Sequence, residues 1–191
     1  MILDPTGIAM VACQDWHASQ RVDELAEALW LAASVDPKVI VEIGCDAGGT
    51  LFCWRQLCND VYGITLADNS PATGGQLYPL NDHGAQVFIG DSHDPAALAW
   101  LREHLAGRPI DVLHIDGDHS YRGAVGDLLW YSPLVRDGGL VLLHDAVNRA
   151  DSRVEVTHLW EQFAAAGSGR LITSKRGRPV GFGVLRKGED I

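Results

Sequence analysis

Asp116, Asp118 and His119 fall within four positions of one another in "LHIDGDHSYRGA", directly after the apolar run "IDVLHI". A second pair, His144 and Asp145, follows the apolar run of "GLVLLHDA". Carboxylates and imidazoles so close together can bind a metal, move a proton, meet a polar substrate or simply cap a loop. Asp118 with Ser120 reads as the cap of a helix beginning near Tyr121, because Asp and Ser supply the side-chain oxygen that the first free N–H groups require. His114 alternates with Asp116 along the run and reads as a buried, hydrogen-bonded histidine. Asp116, His119, His144 and Asp145 stay open between a chemical role and a structural one such as capping the loops that follow.

The elements that must position these residues are legible from periodicity. "KVIVEI", "DVYGIT", "AQVFIG", "IDVLHI" and "GLVLLHDA" read as strands, and stretches of helical period separate them. Such alternation predicts an α/β fold with a largely parallel sheet. Ser19 is the expected N-cap of "QRVDELAEALWLAAS", where Val22, Leu25, Ala26, Leu29 and Ala33 recur at helical spacing. Asp94 and Pro95 form a cap and first-turn pair for "AALAWLREHLAG", with Gly107 as its stop. A helix over "GAVGDLLWYSPLV" is broken near Pro133. "GRLITSKRGRPVGFGVLR" reads as two short strands around a Gly/Pro turn, an antiparallel hairpin that closes the sheet.

At 191 residues and 47% hydrophobic content the chain is long enough for one sizeable core, and we expect one domain over 1–191: an N-terminal helical segment, 1–37, and a core, 38–191. No apolar run reaches the roughly 18 to 20 residues of a membrane span, and the N-terminus lacks a basic region, so the expectation is a cytoplasmic protein without a membrane partner. A formal charge of -10 argues against a nucleic-acid surface and points to a small-molecule partner. Cys13, Cys45, Cys53 and Cys58 have no C-x-x-C spacing and are expected to be reduced thiols. A homodimer is an expectation from the frequency of two-fold symmetry alone.

"VEIGCDAGGT" leads straight from the first strand into a helix. Glycines there let the backbone turn tightly, and the helix N-terminus offers free N–H groups to a ligand. Asp46 occupies the second glycine position of the dinucleotide fingerprint, where its side chain and charge oppose a pyrophosphate, and no Gly-Lys-Ser/Thr follows as a P-loop requires. Glu42-x-Gly44-x-x-x-Gly48-Gly49-Thr50 instead resembles the first motif of the class I S-adenosylmethionine-dependent methyltransferases. The resemblance implies a Rossmann-like, doubly wound, seven-stranded sheet, with Glu42, Gly44, Asp46, Gly48, Gly49 and Thr50 near the methionine part of the cofactor. It extends to "GDSHD", where Asp91 and Ser92 would neighbour the adenine. Thr65 stands where the family has a carboxylate for the ribose, and Asp68, three positions on, is the other candidate.

On that fold Asp116 ends the fourth strand and His144 and Asp145 end the fifth, roughly 4.8 Å away laterally. The two segments resemble a metal-dependent O-methyltransferase branch that includes macrolide-sugar O-methyltransferases and cephalosporin-hydroxylase-like proteins. The resemblance implies Asp116 and Asp145 as ligands of magnesium or another divalent metal, Asp116 also beside the cofactor, and His119 as the base that takes a proton from a substrate hydroxyl. His144 departs from the pattern, standing where the first of an acidic pair is expected. Either His144 is not a ligand, or the metal is softer than magnesium. Methyl transfer to a hydroxylated small molecule, leaving S-adenosylhomocysteine, is thus the leading expectation. A metal-independent methyltransferase and a non-catalytic S-adenosylmethionine-binding or Rossmann-type protein are the alternatives.

Overall fold

A computed structural model of the chain describes residues 4–66, 84–147, 153–174 and 177–191. Two helices come first, α1 (Pro5–Asp15) and α2 (Val22–Ala33), followed by β1 (Val39–Ile43), α3 (Gly49–Arg55), β2 (Asp60–Thr65) and β3 (Gln86–Ile89). The second half runs α4 (Pro95–Leu105), β4 (Ile110–Ile115), α5 (Tyr121–Tyr131), a 3-10 turn at Ser132–Leu134, β5 (Val135–His144), α6 (Val156–Ala165), β6 (Arg170–Ile172) and β7 (Phe182–Arg186).

The seven strands lie in the order β3-β2-β1-β4-β5-β7-β6. β1 to β5 pair in parallel, whereas β7 is antiparallel to both β5 and β6, as the Gly/Pro-separated tail predicted. The chain winds outward one way from β1 and the other way from β4, so the order reverses between those two strands. At such a switch point the loops leave in opposite directions and a crevice opens at the carboxyl ends.

Alternation along the central strands builds two cores. Val39, Val41, Ile43, Leu113, Ile115, Val141 and Leu143 face α4, α5 and α6. Ile40, Val112, Leu140 and Leu142 face α1, α2 and α3. β1 and β4 are buried along their whole length, which is why they read as unbroken apolar runs. Glu42, Asp111 and His114 are the polar exceptions, and the parallel register places Glu42 and His114 side by side on the face of the first three helices.

The expected caps hold at Asp94, whose side chain accepts from Ala96 N–H, and at Ser120, which accepts from Gly123 N–H. Ser19 does not cap α2. That helix begins at Val22 with Arg21 at the cap and no side-chain cap bond. Residues 16–21 instead run irregularly, with the N–H groups of Trp16 and Ala18 both returning to the carbonyl of Ala12. α1, capped by Asp4 with Pro5 in its first turn, packs ahead of this segment. The four cysteines are free thiols. Among the described residues no helix is long and apolar enough to cross a membrane.

Candidate active site

A cleft of about 780 Å³ opens above the carboxyl ends of the central strands. Its floor is the turn between β1 and α3. Gly44 has φ 84, and a Cβ there would lie 2.6 Å from the Cα of Gly117 and closer still to the carbonyl of Asp116. Only glycine, therefore, lets this turn rest on the end of β4. Gly48 precedes α3 with φ 87, and Asp46 also takes a left-handed φ of 41. A Cβ on Gly49 would meet the carbonyl oxygen of Trp16 at 2.6 Å, so Gly49 admits the irregular 16–20 segment over the turn.

The cleft is lined by Gly44, Asp46, Gly49 and Thr50 from this turn, by Thr65 from the end of β2, and by Asp91 and Ser92 after β3. Gly48 and Glu42 do not line it. Glu42 is fully buried beneath the turn, where one oxygen, Oε1, accepts from the Thr50 hydroxyl and faces His114 Nδ1 at 2.9 Å. Its position is that of a support for Thr50 and the floor. Asp68 lies outside the described residues.

The far wall carries the acidic and imidazole groups. Asp116 follows β4 directly, its N–H donating to the Ile43 carbonyl at 2.8 Å. Asp116 Oδ1 faces two imidazoles, His144 Nδ1 at 3.0 Å and His119 Nε2 at 3.2 Å. His119 also reaches across with Nδ1 to Asp145 Oδ2 at 3.4 Å, so its ring spans the two aspartates. His144 Nδ1 is 3.8 Å from the same Asp145 oxygen. Asp145 itself is held in a left-handed conformation, φ 60, with its carbonyl accepting from the Thr157 hydroxyl. Asp118 lines the cleft edge and accepts at 2.9 Å from the N–H of Ser120, the residue that caps α5.

Sequence spacing gave no sign of Gln20. Its Nε2 donates to Asp116 Oδ2 at 2.8 Å from 96 positions away, and with His17, Ala18 and Ser19 it walls the cleft. No periodic or motif signal marks an irregular segment of this kind; only tertiary packing brings it here.

These contacts set the protonation of the wall. Burial opposes the charge on Asp116, yet the imidazoles of His144 and His119 hold its carboxyl well below the usual carboxylate range. His119, bonded to Asp116 and facing Asp145, is pushed up to about 9 despite partial burial. Burial lowers His144, but Asp116 and Asp145 outweigh it and the net direction is upward. His119 so placed retains its proton at neutral pH, and it becomes a free base there only when another positive charge relieves the aspartates. Asp116, His144 and Asp145 each bring one donor atom into a group within 4.8 Å of one another, the arrangement needed to hold a divalent ion.

Fold and site now define a class. Residues 41–146 match the family model described as "Methyltransferase domain", and the chain belongs to that family. A 2'-O-methyltransferase of 8-demethyl-8-alpha-L-rhamnosyl tetracenomycin-C from Streptomyces olivaceus is 28% identical over 115 residues, 56% of this chain and 28% of that protein. The uncharacterized protein R132 of Acanthamoeba polyphaga mimivirus is 31% identical over 117 residues, 58% of this chain and 52% of that protein. The alignments thus span about half or less of the curated relatives' length. Among solved structures, MycE methyltransferase from the mycinamycin biosynthetic pathway, in complex with Mg and SAH, superposes with a TM-score of 0.65 at 16% identity, covering 98% of this chain and 55% of that one. The O-methyltransferase TomG from Streptomyces achromogenes, in complex with SAM, gives 0.63 at 14% identity and covers 98% and 92%. At these identities the likeness is one of fold.

Proposed function

We propose that the chain catalyses S-adenosylmethionine-dependent methyl transfer to a hydroxyl of a small molecule, assisted by a divalent cation at Asp116 and Asp145. Residues 38–191 form the catalytic core, and the 1–37 segment contributes a wall of the site. The observation that carries this reading is the convergence of the β1, β4 and β5 ends on one cleft. The glycine turn lies on one side of it and the spanning contact of Asp116, His119 and Asp145 on the other. Family membership and the SAM- and SAH-bound neighbours support the choice of cofactor.

The residues present suit that cofactor. S-adenosylmethionine supplies a methyl group on a positively charged sulfur, and Asp46 beside the turn gives the cleft the negative potential such a group favours. Gly44, Gly49 and Thr50 admit its chain close to the backbone, and Asp91 and Ser92 are placed for the nucleoside end. Two carboxylates also suit a divalent cation, whose chemistry is to acidify and orient a bound hydroxyl.

The chain's own groups do the rest. Gln20 fixes the rotation of the Asp116 carboxylate. His119, partly exposed on the open side, receives the proton of the acceptor hydroxyl at one ring nitrogen once the aspartates' charge is compensated. The cleft walls hold acceptor and donor in line, which in general contributes several kcal/mol to such displacements.

The test is transfer of labelled methyl from S-adenosylmethionine to a panel of hydroxylated sugars and phenols, with and without chelator. Transfer that is lost on chelation and restored by a divalent ion supports the reading. Transfer indifferent to chelator removes the cation and leaves methyl transfer alone. The two imidazoles already facing Asp116 favour that second outcome over any other alternative, since they compensate its charge without a metal. Binding of S-adenosylhomocysteine without turnover across the panel would speak for a non-catalytic protein.

A further inference from the structure

The identity of the cation follows from the side chain that shares its place. Asp116 Oδ2 is already taken by Gln20 Nε2 at 2.8 Å, so Oδ1 is the oxygen turned toward the donor group. His144 Nδ1 lies 3.0 Å from that oxygen and 3.8 Å from Asp145 Oδ2. His144 ends β5, is only 6% exposed, and is packed against the Phe182 ring at 4.9 Å between centroids. Its ring is thus hemmed in by the sheet and the helices on that face. Any ion taken up by the two aspartates therefore has an imidazole nitrogen as an immediate neighbour.

That neighbour discriminates among ions. Magnesium demands an octahedron of oxygens and retains its waters, so a fixed imidazole occupies space where it wants oxygen. Manganese, iron, cobalt and zinc accept nitrogen and oxygen together, and a mixed imidazole–carboxylate set is characteristic of them. Two cis ligands each about 2.1 Å from one ion lie about 3.0 Å apart. The His144–Asp116 separation already matches this, and Asp145 Oδ2, 3.8 Å from His144 Nδ1, has to move inward to complete the set.

We propose that the cation of this site is a first-row transition ion bound through Asp116 Oδ1, Asp145 Oδ2 and His144 Nδ1, and that magnesium is the weaker ligand. This rests on the reading that the cleft uses a divalent ion at all. One feature limits the affinity. A ring bound through Nδ1 carries its hydrogen on Nε2, which is buried without a partner among the described residues. Ligand histidines normally have an acceptor there, and lacking one lowers metal affinity by about 10–100-fold.

Pulsed electron paramagnetic resonance of the Mn(II)-loaded full chain tests this without recourse to turnover. The expected result is nitrogen-14 modulation from a directly bound imidazole, abolished in His144→Asp. Equilibrium dialysis should show the manganese-to-magnesium affinity ratio of the wild type falling at least tenfold in that variant. His144→Asn, which keeps a hydrogen-bonding atom near the position of Nδ1, should lose the nitrogen signal in the same way and serves if the aspartate variant does not fold. Manganese bound without nitrogen modulation, modulation that persists in both variants, or no manganese bound at millimolar concentration would each overturn the proposal. Titration with S-adenosylhomocysteine in the same samples separates the two levels: binding there with no metal bound sinks the cation and leaves the cofactor site standing.

Discussion

Gln20 and Asp116 share a hydrogen bond of 2.8 Å, from the side-chain amide to carboxylate Oδ2, across 96 positions of sequence. It ties the segment between α1 and α2 to the end of β4 and leaves the opposite oxygen of Asp116 to the imidazoles. Hydrogen bonds to charged groups contribute roughly 1.5–3 kcal/mol. Gln20→Ala should therefore lower kcat by about tenfold or more while S-adenosylhomocysteine affinity changes little. Steady-state kinetics alongside calorimetry checks this, and equal losses in both would mean the segment serves only to cover the cofactor.

His119 makes stability depend on pH. Its folded value, about 9, lies above the ordinary 6.5, so its contribution is fully present below pH 6.5 and is lost as pH rises through about 9. The melting temperature of wild type should exceed that of His119→Gln most at low pH within this window, and the difference should fade above it. Thermal melts of both proteins across the range, without divalent ions, measure it. A constant difference would show that the ring does not hold its proton between the aspartates.

Asp127, on α5, sits fully buried behind the loop of Asp91, Ser92 and His93, with His93 Nε2 3.4 Å from its Oδ1. Burial raises its carboxyl from 3.8 to about 6, with His93 and Ser92 opposing. Between those values the folded chain holds the proton more tightly than the unfolded one, so stability falls as pH rises through that interval. Above it the penalty is complete, about 2–3 kcal/mol for a shift of this size. Asp127→Asn should thus gain stability relative to wild type at pH 7.5, with the advantage shrinking toward pH 4. Urea midpoints at the two pH values decide it.

Gly44 cannot be replaced cheaply. At φ 84 a side chain is strained, and a Cβ would meet the backbone of Asp116 and Gly117 rather than a movable side-chain end. Gly44→Ala should cost about 2–4 kcal/mol of stability and abolish S-adenosylhomocysteine binding. Denaturant unfolding with a parallel binding titration measures both, and a fully stable, binding-competent variant would contradict the placement of the turn.

Much of the fold was readable because the central strands bury both faces and the caps are local. Asp94–Pro95 and Asp118–Ser120 act through neighbours two or three residues away, so their pattern suffices. The largely parallel sheet followed from the same periodicity and the family resemblance, and the antiparallel tail from the Gly/Pro turn between its two short strands. Ser19 misled because a serine before a helical pattern looks like a cap, whereas Gly49 draws this segment over the turn and α2 starts later. Asp116, His119, His144 and Asp145 were expected at neighbouring strand ends and are brought together there. Glu42 was expected beside the cofactor, and the structure buries it beneath the turn, against Thr50 and His114. Gln20 was invisible, since nothing local distinguishes it from a solvent-facing glutamine.

The most direct test of the account is hydrogen–deuterium exchange of the chain with and without S-adenosylhomocysteine. Protection should concentrate in Gly44–Thr50, Asp91–His93 and Asp116–His119, three of the segments that line the cleft. No protection at saturating ligand, or protection confined to other parts of the sheet, would contradict it.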